Sequence, residues 1–439
     1  MRTGRLSAGI AALLIALSAS AEAKRIDYGE ARETALDYSR LIKAYEAEAK
    51  GAEYRRRQAV GAYLPKINLS ETYTSTDEPA NAAFSTMAQG EFDMPYFMNQ
   101  LADPDRIDNF RTKIEVLQPV YMQGKIRYSI KQAKLAGDAS NLTTERVRQN
   151  IIYNLNRAFF GTALAEKALD VVRTSEKRTR RYYEMTKDFY ENGLVVKSDL
   201  LVAETYLLMN EQARKDAKKE LAVAVSHLQR LLDTDEDLSI IWEDPGYRTD
   251  KSLNEYIDTA ITERQDLAAM EKHEKAAQYE VDKSKGAYLP EVAVFADYQR
   301  NDEEFLGDSG EGVTFGAQLK LNLFNGGADH YKIKENKAKH LAMLHRVADK
   351  RLAVKSEVKS AFYGVEAASA QLDAARKRVE STSTALEITE NRFREGLAKI
   401  TELLDREVDL QKAELSLYMS EYQLIISRAG LLYASGELN

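Results

Sequence analysis

Cysteine is absent from all 439 residues. That excludes disulfides, thiolate metal sites, thiol nucleophiles and a lipidated N-terminal cysteine. Proline and glycine are scarce, at 7 and 22, while 30% of residues are charged. This balance favours long helices over a loop-rich globule or a disordered chain. The five histidines, His227, His273, His330, His340 and His345, show neither HExxH spacing nor any other clustered ligand pattern, so no metal site is expected. His340 and His345 lie five apart, a poor match to one helix face. A P-loop, a nucleotide-binding glycine fingerprint and a Gly-x-Ser-x-Gly elbow are all missing. No enzymatic activity and no cofactor are expected. Beyond the first residues, nothing approaches about 18 uninterrupted apolar residues, so no helix is expected to span a bilayer. Any membrane crossing falls to strands.

The first 23 residues have the pattern of a secretory signal peptide. Arg2 and Arg5 form a basic start, "AGIAALLIALSASA" is a short apolar core, and Ala21-Glu22-Ala23 supplies small-x-small cleavage chemistry. Removing them takes the formal net charge from −7 to −8, through loss of Arg2, Arg5 and Glu22. A mildly acidic exported chain has no electrostatic reason to bind nucleic acid.

What the chain does have is an internal repeat. "GAYLP" occurs at Gly61–Pro65 and Gly286–Pro290, 225 residues apart. "QPVYMQGK" matches "LNLFNGGA" with Gly124 on Gly327, and "FYENGLVVKSDLL" matches "RFREGLAKITELL" with Gly193 on Gly396, both at an offset of 203. The shift of 22 residues falls wholly between the first and second landmarks. Loops tolerate length change and packed elements do not. Each half is therefore expected to hold a variable loop followed by a length-locked helix.

Periodicity agrees. Val358, Val365, Leu372, Val379, Leu386 and Phe393 recur every seven residues, with Ala361, Ala368, Ala375, Thr382 and Thr389 between them. That is an a/d pattern of one large and one small position. Ala158, Ala165, Val172, Thr179 and Thr186 form the matching small row of the first half. The 69 residues between second and third landmarks span about 100 Å as helix, far more than a globular core needs. Gly193 and Gly396 stand where a left-handed glycine would end each helix, and Ser198 and Thr401 where they could cap a returning one. The segment Asp233–Asp250, which holds the only tryptophan, Trp242, is expected as a small belt.

Pro65 and Pro290 should stop the ascending helices, since proline lacks an amide donor and disfavours helical geometry in the preceding Leu64 and Leu289. Alternating runs follow. Ile67, Leu69 and Tyr73 fall on one face, as do Phe110, Thr112, Ile114, Val116 and Val120. Val292, Val294, Ala296 and Tyr298 do the same, and so do Val313, Phe315, Ala317, Leu319, Leu321 and Leu323. Period-two alternation over about ten residues suits a membrane strand, apolar to lipid and polar to a lumen. A half-buried strand of a soluble sheet has the same pattern, but little besides charged helix is available to cover the apolar face. Four strands cannot close a barrel, and an open edge cannot stay in lipid, so strands must be pooled from several copies.

The signal peptide, the doubled order of "AYLP", "QPVYMQGK" and "NLFNGG", and the Gly-Leu tips resemble the TolC-like outer membrane efflux proteins over residues 24–435. The resemblance implies a mainly α fold with a small β part: two repeats whose long coiled-coil hairpins form an α-barrel, plus four strands given to a trimeric twelve-stranded barrel. It divides the chain into a signal peptide (1–23), a first repeat (24–232), an equatorial segment (233–250) and a second repeat (251–439). The first repeat holds strands at about 66–74 and 110–121, an outer loop at 75–109 and a hairpin at 125–232. The second holds strands at about 291–299 and 312–324 and a hairpin at 327–432.

The function it implies is a passive outer-membrane exit duct for efflux or type I secretion, with a large periplasmic portion. Its partners would be a periplasmic adaptor (membrane fusion) protein, an inner-membrane transporter of RND or ABC type, and outer-membrane lipid. A periplasmic coiled-coil scaffold or adaptor without a pore is the alternative. By the same resemblance Glu402 and Asp405 close the periplasmic end, with Asp199 as a locking residue. The archetype's locking partners correspond to Ala398 and Phe393, which have no polar side chain, so Arg394 or Lys399 would stand in. Gly193, Leu194, Val195, Gly396 and Leu397 would contact the adaptor. On local grounds alone, Asp199 and Glu402 each sit in a first helical turn and complement the helix dipole by about 0.3–1 kcal/mol.

Overall fold

A computed structural model describes residues 24–91, 94–99, 102–307 and 309–439; the expected signal peptide lies outside them. In chain order the elements are β1 (Lys24–Ile26), α1 (Tyr28–Tyr38), α2 (Arg40–Gly61), β2 (Lys66–Thr76), α3 (Pro79–Ala88), α4 (Met94–Asn99) and β3 (Ile107–Met122). Then come α5 (Lys125–Glu191), α6 (Lys197–Leu232), β4 (Leu238–Ile240), α7 (Leu253–Glu263) and α8 (Gln265–Lys285). A 3-10 turn (Gly286–Tyr288) leads to β5 (Glu291–Asp302), β6 (Gly310–Lys320), α9 (Ala328–Arg394) and α10 (Ile400–Ser435). Both α5 and α9 are 67 residues long and both α6 and α10 are 36, so the length-locked hairpins are present twice. No helix among the described residues is long and apolar enough to cross a membrane.

The chain forms two compact units, and each takes segments from both repeats. One unit comprises residues 24–44, 144–265 and 351–439. Its seams are the heptad rows: Val358, Leu372, Leu386 and Phe393 are buried, as are Ala368, Ala375, Val172, Thr179 and Thr186. Buried threonines are satisfied locally, as where Thr186 Oγ1 donates to the Tyr182 carbonyl at 2.7 Å. The belt is built as a small parallel pair, β1 on β4. Beside it Trp242 meets Phe160 edge-on at 6.0 Å. The Tyr28 hydroxyl joins Tyr247 at 2.7 Å and accepts from Asn156 Nδ2, also at 2.7 Å. Burial drives the Tyr28 phenol far above its ordinary pKa, so this polar cluster stays neutral.

The other unit, residues 45–143 and 266–350, holds a four-stranded antiparallel sheet in the order β2-β3-β5-β6. Pro65 and Pro290 immediately precede β2 and β5, as the proline argument requires. Three features differ from the sequence expectation. Residues 75–109 are not a plain loop: β2 and β3 extend into them, and α3 and α4 lie between, with Pro79 in the first turn of α3. Gln89, just after α3, donates to the Asp108 carbonyl at 2.8 Å and to Asn109 Oδ1 at 3.1 Å, pinning the helix against β3.

Second, Val120 does not continue its row. A bulge between Pro119 and Tyr121 brings Tyr121 opposite Val292 instead; Pro119 has no amide to donate, and an extra residue is accommodated there. Third, β6 ends at Lys320 rather than at about residue 324, because its partner β5 begins at Glu291, just after Pro290.

Candidate functional site

The sheet has two chemically distinct faces. Cross-strand rows on one face read, in order, Leu69–Ile114–Tyr298–Val313, Ile67–Val116–Ala296–Phe315, Val294–Ala317 and Val292–Leu319. Phe315 is 83% exposed and Leu69 72%, so none of the described residues covers this face. An apolar patch of that kind needs a non-aqueous neighbour. The rows turn polar at Glu71–Thr112–Arg300–Glu311. Four apolar rows at about 6.7 Å per two-residue step make a band about 20 Å tall. Aromatic side chains flank it: Tyr73 and Phe110 at 4.8 Å with Phe305 6.0 Å from Phe110 at one end, and exposed Tyr63, Tyr121 and Tyr288 towards the other. Apolar height and aromatic girdles are what a strand in a bilayer shows.

Opposite rows carry Asn68–Glu115–Asp297–Thr314, Ser70–Lys113–Gln299–Gly312 and Thr72–Arg111–Asn301–Gly310. Lys113 and Asp297 pair at 3.3 Å. Charges of both signs along one face require water.

In the helical unit, the two hairpin tips share one geometry. Gly193 and Gly396 have φ of 72° and 75°, the left-handed region where a Cβ is strained. Leu194 N bonds Phe189 O at 2.8 Å and Gly193 N bonds Tyr190 O at 2.9 Å. Leu397 N bonds Arg392 O at 2.8 Å and Gly396 N bonds Phe393 O at 3.0 Å. Both are Schellman caps. Two residues after each glycine suffice to reverse the chain, so α6 and α10 are capped by Val196 and Lys399, without side-chain bonds. Ser198 and Thr401 therefore lie inside the helices, correcting their expected capping role. Leu194, Val196 and Leu397 are exposed at the tips, whereas Val195 is half-buried. Beneath them Phe393, Ile400, Leu403, Leu404 and Tyr182 form a core.

The acidic candidates have different surroundings. Glu402 meets Arg392 at 3.4 Å, and Asp405 Oδ1 accepts from the Tyr206 hydroxyl at 3.0 Å. Asp199 lies in the first turn of α6. Arg394 joins Glu390 on its own helix and Lys399 is the α10 cap, so neither is brought to an acidic candidate. Arg392, which the sequence reading did not single out, occupies that place.

Further ties went unseen in the sequence. Glu390 of α9 accepts from Arg181 Nη2 at 2.7 Å and from the Tyr182 hydroxyl at 2.9 Å, both on α5. Glu407 of α10, 1% exposed, takes Arg178 Nε between its oxygens at 2.9 and 2.8 Å. Burial pushes the Glu407 carboxyl up, with Arg178 opposing. The available signal was positional: Ile400, Leu403, Leu404, Glu407 and Leu410 form one helical stripe, and the glutamate is its single charged member. These bonds tie α5 to both α9 and α10 just behind the tips.

Comparison with known proteins gives the same picture. The family model described as outer membrane efflux protein matches residues 31–234 and 256–437. The chain is 21% identical over 413 residues to outer membrane protein TolC of Escherichia coli, covering 90% of this chain and 78% of that protein. It is 21% identical over 343 residues to the alkaline protease secretion protein AprF of Pseudomonas aeruginosa, covering 76% and 70%. Among solved structures, the outer membrane protein VceC of Vibrio cholerae superposes with a TM-score of 0.76 at 17% identity, covering 93% and 95%. The Campylobacter jejuni CmeC outer membrane channel does so with a TM-score of 0.80 at 15% identity, covering 93% and 85%.

Proposed function

We propose, since this chain belongs to the outer membrane efflux protein family, that three copies assemble into one exit duct docked on a periplasmic adaptor and an inner-membrane transporter. The protein is an outer-membrane efflux or secretion channel with a large periplasmic portion, and its family consists of channels. The observation that carries the trimer is the four-stranded sheet, apolar on one face, charged on the other, with both edges unpaired among the described residues. Unpaired edges are not tolerated in lipid. Three copies supply twelve strands, enough to close a water-filled barrel in the outer-membrane bilayer.

The exposed Leu194, Val196 and Leu397, with the turns at Gly193 and Gly396, form the surface for the adaptor, a membrane fusion protein, above an RND- or ABC-type transporter. Glu402, Asp405 and Asp199 are the acidic ring of the periplasmic gate. Arg392 and Tyr206 hold the first two in place. A conduit of this kind discriminates little between cargoes, so selection falls to the transporter.

The gate is tested by recording Glu402→Ala/Asp405→Ala in planar bilayers. Loss of two carboxylates per chain is expected to raise conductance and weaken block by divalent cations. Unchanged conductance together with unchanged block would remove these residues from the role.

A further inference from the structure

A cavity of about 490 Å³ lies at the foot of the apolar band, where β3 turns into α5. Part of its lining is apolar and aromatic. Tyr63 and Tyr121 are among the tyrosines that flank the band, and Val120 and Leu289 beside them are 56% and 45% exposed. Tyr121 stands opposite Val292 in the apolar row, which places the cavity on the face of the sheet that needs a non-aqueous neighbour. The rest of the lining is polar. Arg127 is exposed and has no acidic partner among the described residues. Asp282 and Lys285 pair at 2.7 Å. The first turn of α5 borders the same space through Gly124 and Ile126, and its leading amides have no carbonyl partner within the helix. A free guanidinium beside a helix N-terminus favours an anion.

Gln123 supplies the opposite chemistry. It lines the cavity at 6% exposed, and its Oε1 accepts from no donor among the described residues. A buried acceptor left in that state costs about 1–3 kcal/mol. The turn itself does not require it. At the offset of 203 the second repeat places Gly326 there, and both residues have a left-handed backbone, with φ of 57° and 72°. Glycine adopts that conformation freely and glutamine does not. Gly286 fixes the turn, being packed so closely that a Cβ would collide with the Gln123 carbonyl. Arg127 and Asp282 are not repeated either: their counterparts are His330 and, at the offset of 225, Arg57. The turn is thus duplicated, whereas the polar set occurs once per chain.

We propose that this cavity seats the headgroup of a phospholipid bearing a primary ammonium, a reading that rests on the outer-membrane duct. The helices leave the sheet at this end, so the lipid belongs to the periplasmic leaflet. Arg127 and the first turn of α5 hold its phosphate. Its ammonium donates to Gln123 Oε1 and to the Asp282 carboxylate. The acyl chains pass Tyr121 and Leu289 and continue along the apolar band, a continuity that favours a lipid over a free phosphate. A choline headgroup has no N–H and leaves Gln123 unanswered.

The test is native mass spectrometry of the full-length, delipidated trimer after addition of phosphatidylethanolamine, or of phosphatidylcholine with the same acyl chains. Up to three molecules of phosphatidylethanolamine per trimer should be retained, at least several-fold more than of phosphatidylcholine. Arg127→Ala should lower retention of both lipids several-fold, whereas Lys134→Ala, an exposed cation two turns further along α5, should not. Gln123→Met keeps the length of the side chain without its acceptor. It should abolish the preference for phosphatidylethanolamine while leaving phosphatidylcholine retention unchanged. Inorganic phosphate should not displace the lipid. A conducting trimer that retains both lipids equally, or whose retention ignores Arg127→Ala and Gln123→Met, overturns the proposed site and leaves the duct standing. Displacement by phosphate overturns the lipid as occupant. A monomer without channel events overturns the duct reading, and the membrane-edge site with it.

Discussion

Replacing Arg178 by methionine is expected to loosen the tips by about 3–5 kcal/mol, the cost of stranding one member of a buried ion pair. Glu407 is 1% exposed and both of its oxygens are bonded to Arg178 Nε. Glu414, 3.5 Å from Arg178 Nη2, cannot replace the lost cation and adds repulsion. The loss should read as faster amide exchange across Ile400–Leu410, measured by mass spectrometry. Arg178→Met/Glu407→Leu should recover most of it, since apolar replacement of a whole buried pair is often neutral or stabilising.

The pH dependence has a definite sign. Burial raises the Glu407 carboxyl above 4.5, so between that value and its raised one the folded protein holds the extra proton and stability falls as pH rises. Removing Arg178 lifts the carboxyl further and extends this interval upward. The Arg178→Met defect should therefore be smaller at pH 5 than at pH 8. A defect that is equal at both would show that Glu407 is not the stranded group.

Phe315→Arg is expected to have the second large effect. Phe315 stands in the row Ile67–Val116–Ala296–Phe315 at the middle of the apolar band. Arginine at the bilayer midplane costs about 2–4 kcal/mol per copy, incurred three times in a trimer. The variant should disappear from outer-membrane fractions. Thr314→Arg, one residue away on the polar face, should insert normally and change only conductance or ion selectivity. Normal insertion of Phe315→Arg would mean that this face does not meet lipid.

The parts of the fold legible in the sequence are those decided locally. Proline at positions 65 and 290 ends a helix whatever surrounds it, and glycine at 193 and 396 permits a left-handed cap that few other residues allow. Strand faces follow from alternation, because side chains on a strand alternate by necessity. What escaped depends on partners distant in sequence. The bulge after Pro119 exists only against β5, and the end of β6 is set by where β5 begins. The α3 helix lay hidden in the one region where the repeats differ in length, with no counterpart to compare.

Around the proposed gate, Glu402 and Asp405 were reachable by resemblance, but their neighbours Arg392 and Tyr206 were not, since contacts between helices are not encoded by spacing along either one. Glu407 was visible as a charge on an apolar stripe. Its partner, 229 residues away, was not.

Single-channel recording of the purified protein in a planar lipid bilayer tests the pooled barrel most directly. A trimeric duct should give discrete, long-lived conductance steps that Thr314→Arg alters and Phe315→Arg abolishes. A protein that binds adaptor and forms coiled-coil assemblies yet yields no channel events would contradict it, and would identify the chain as a periplasmic scaffold.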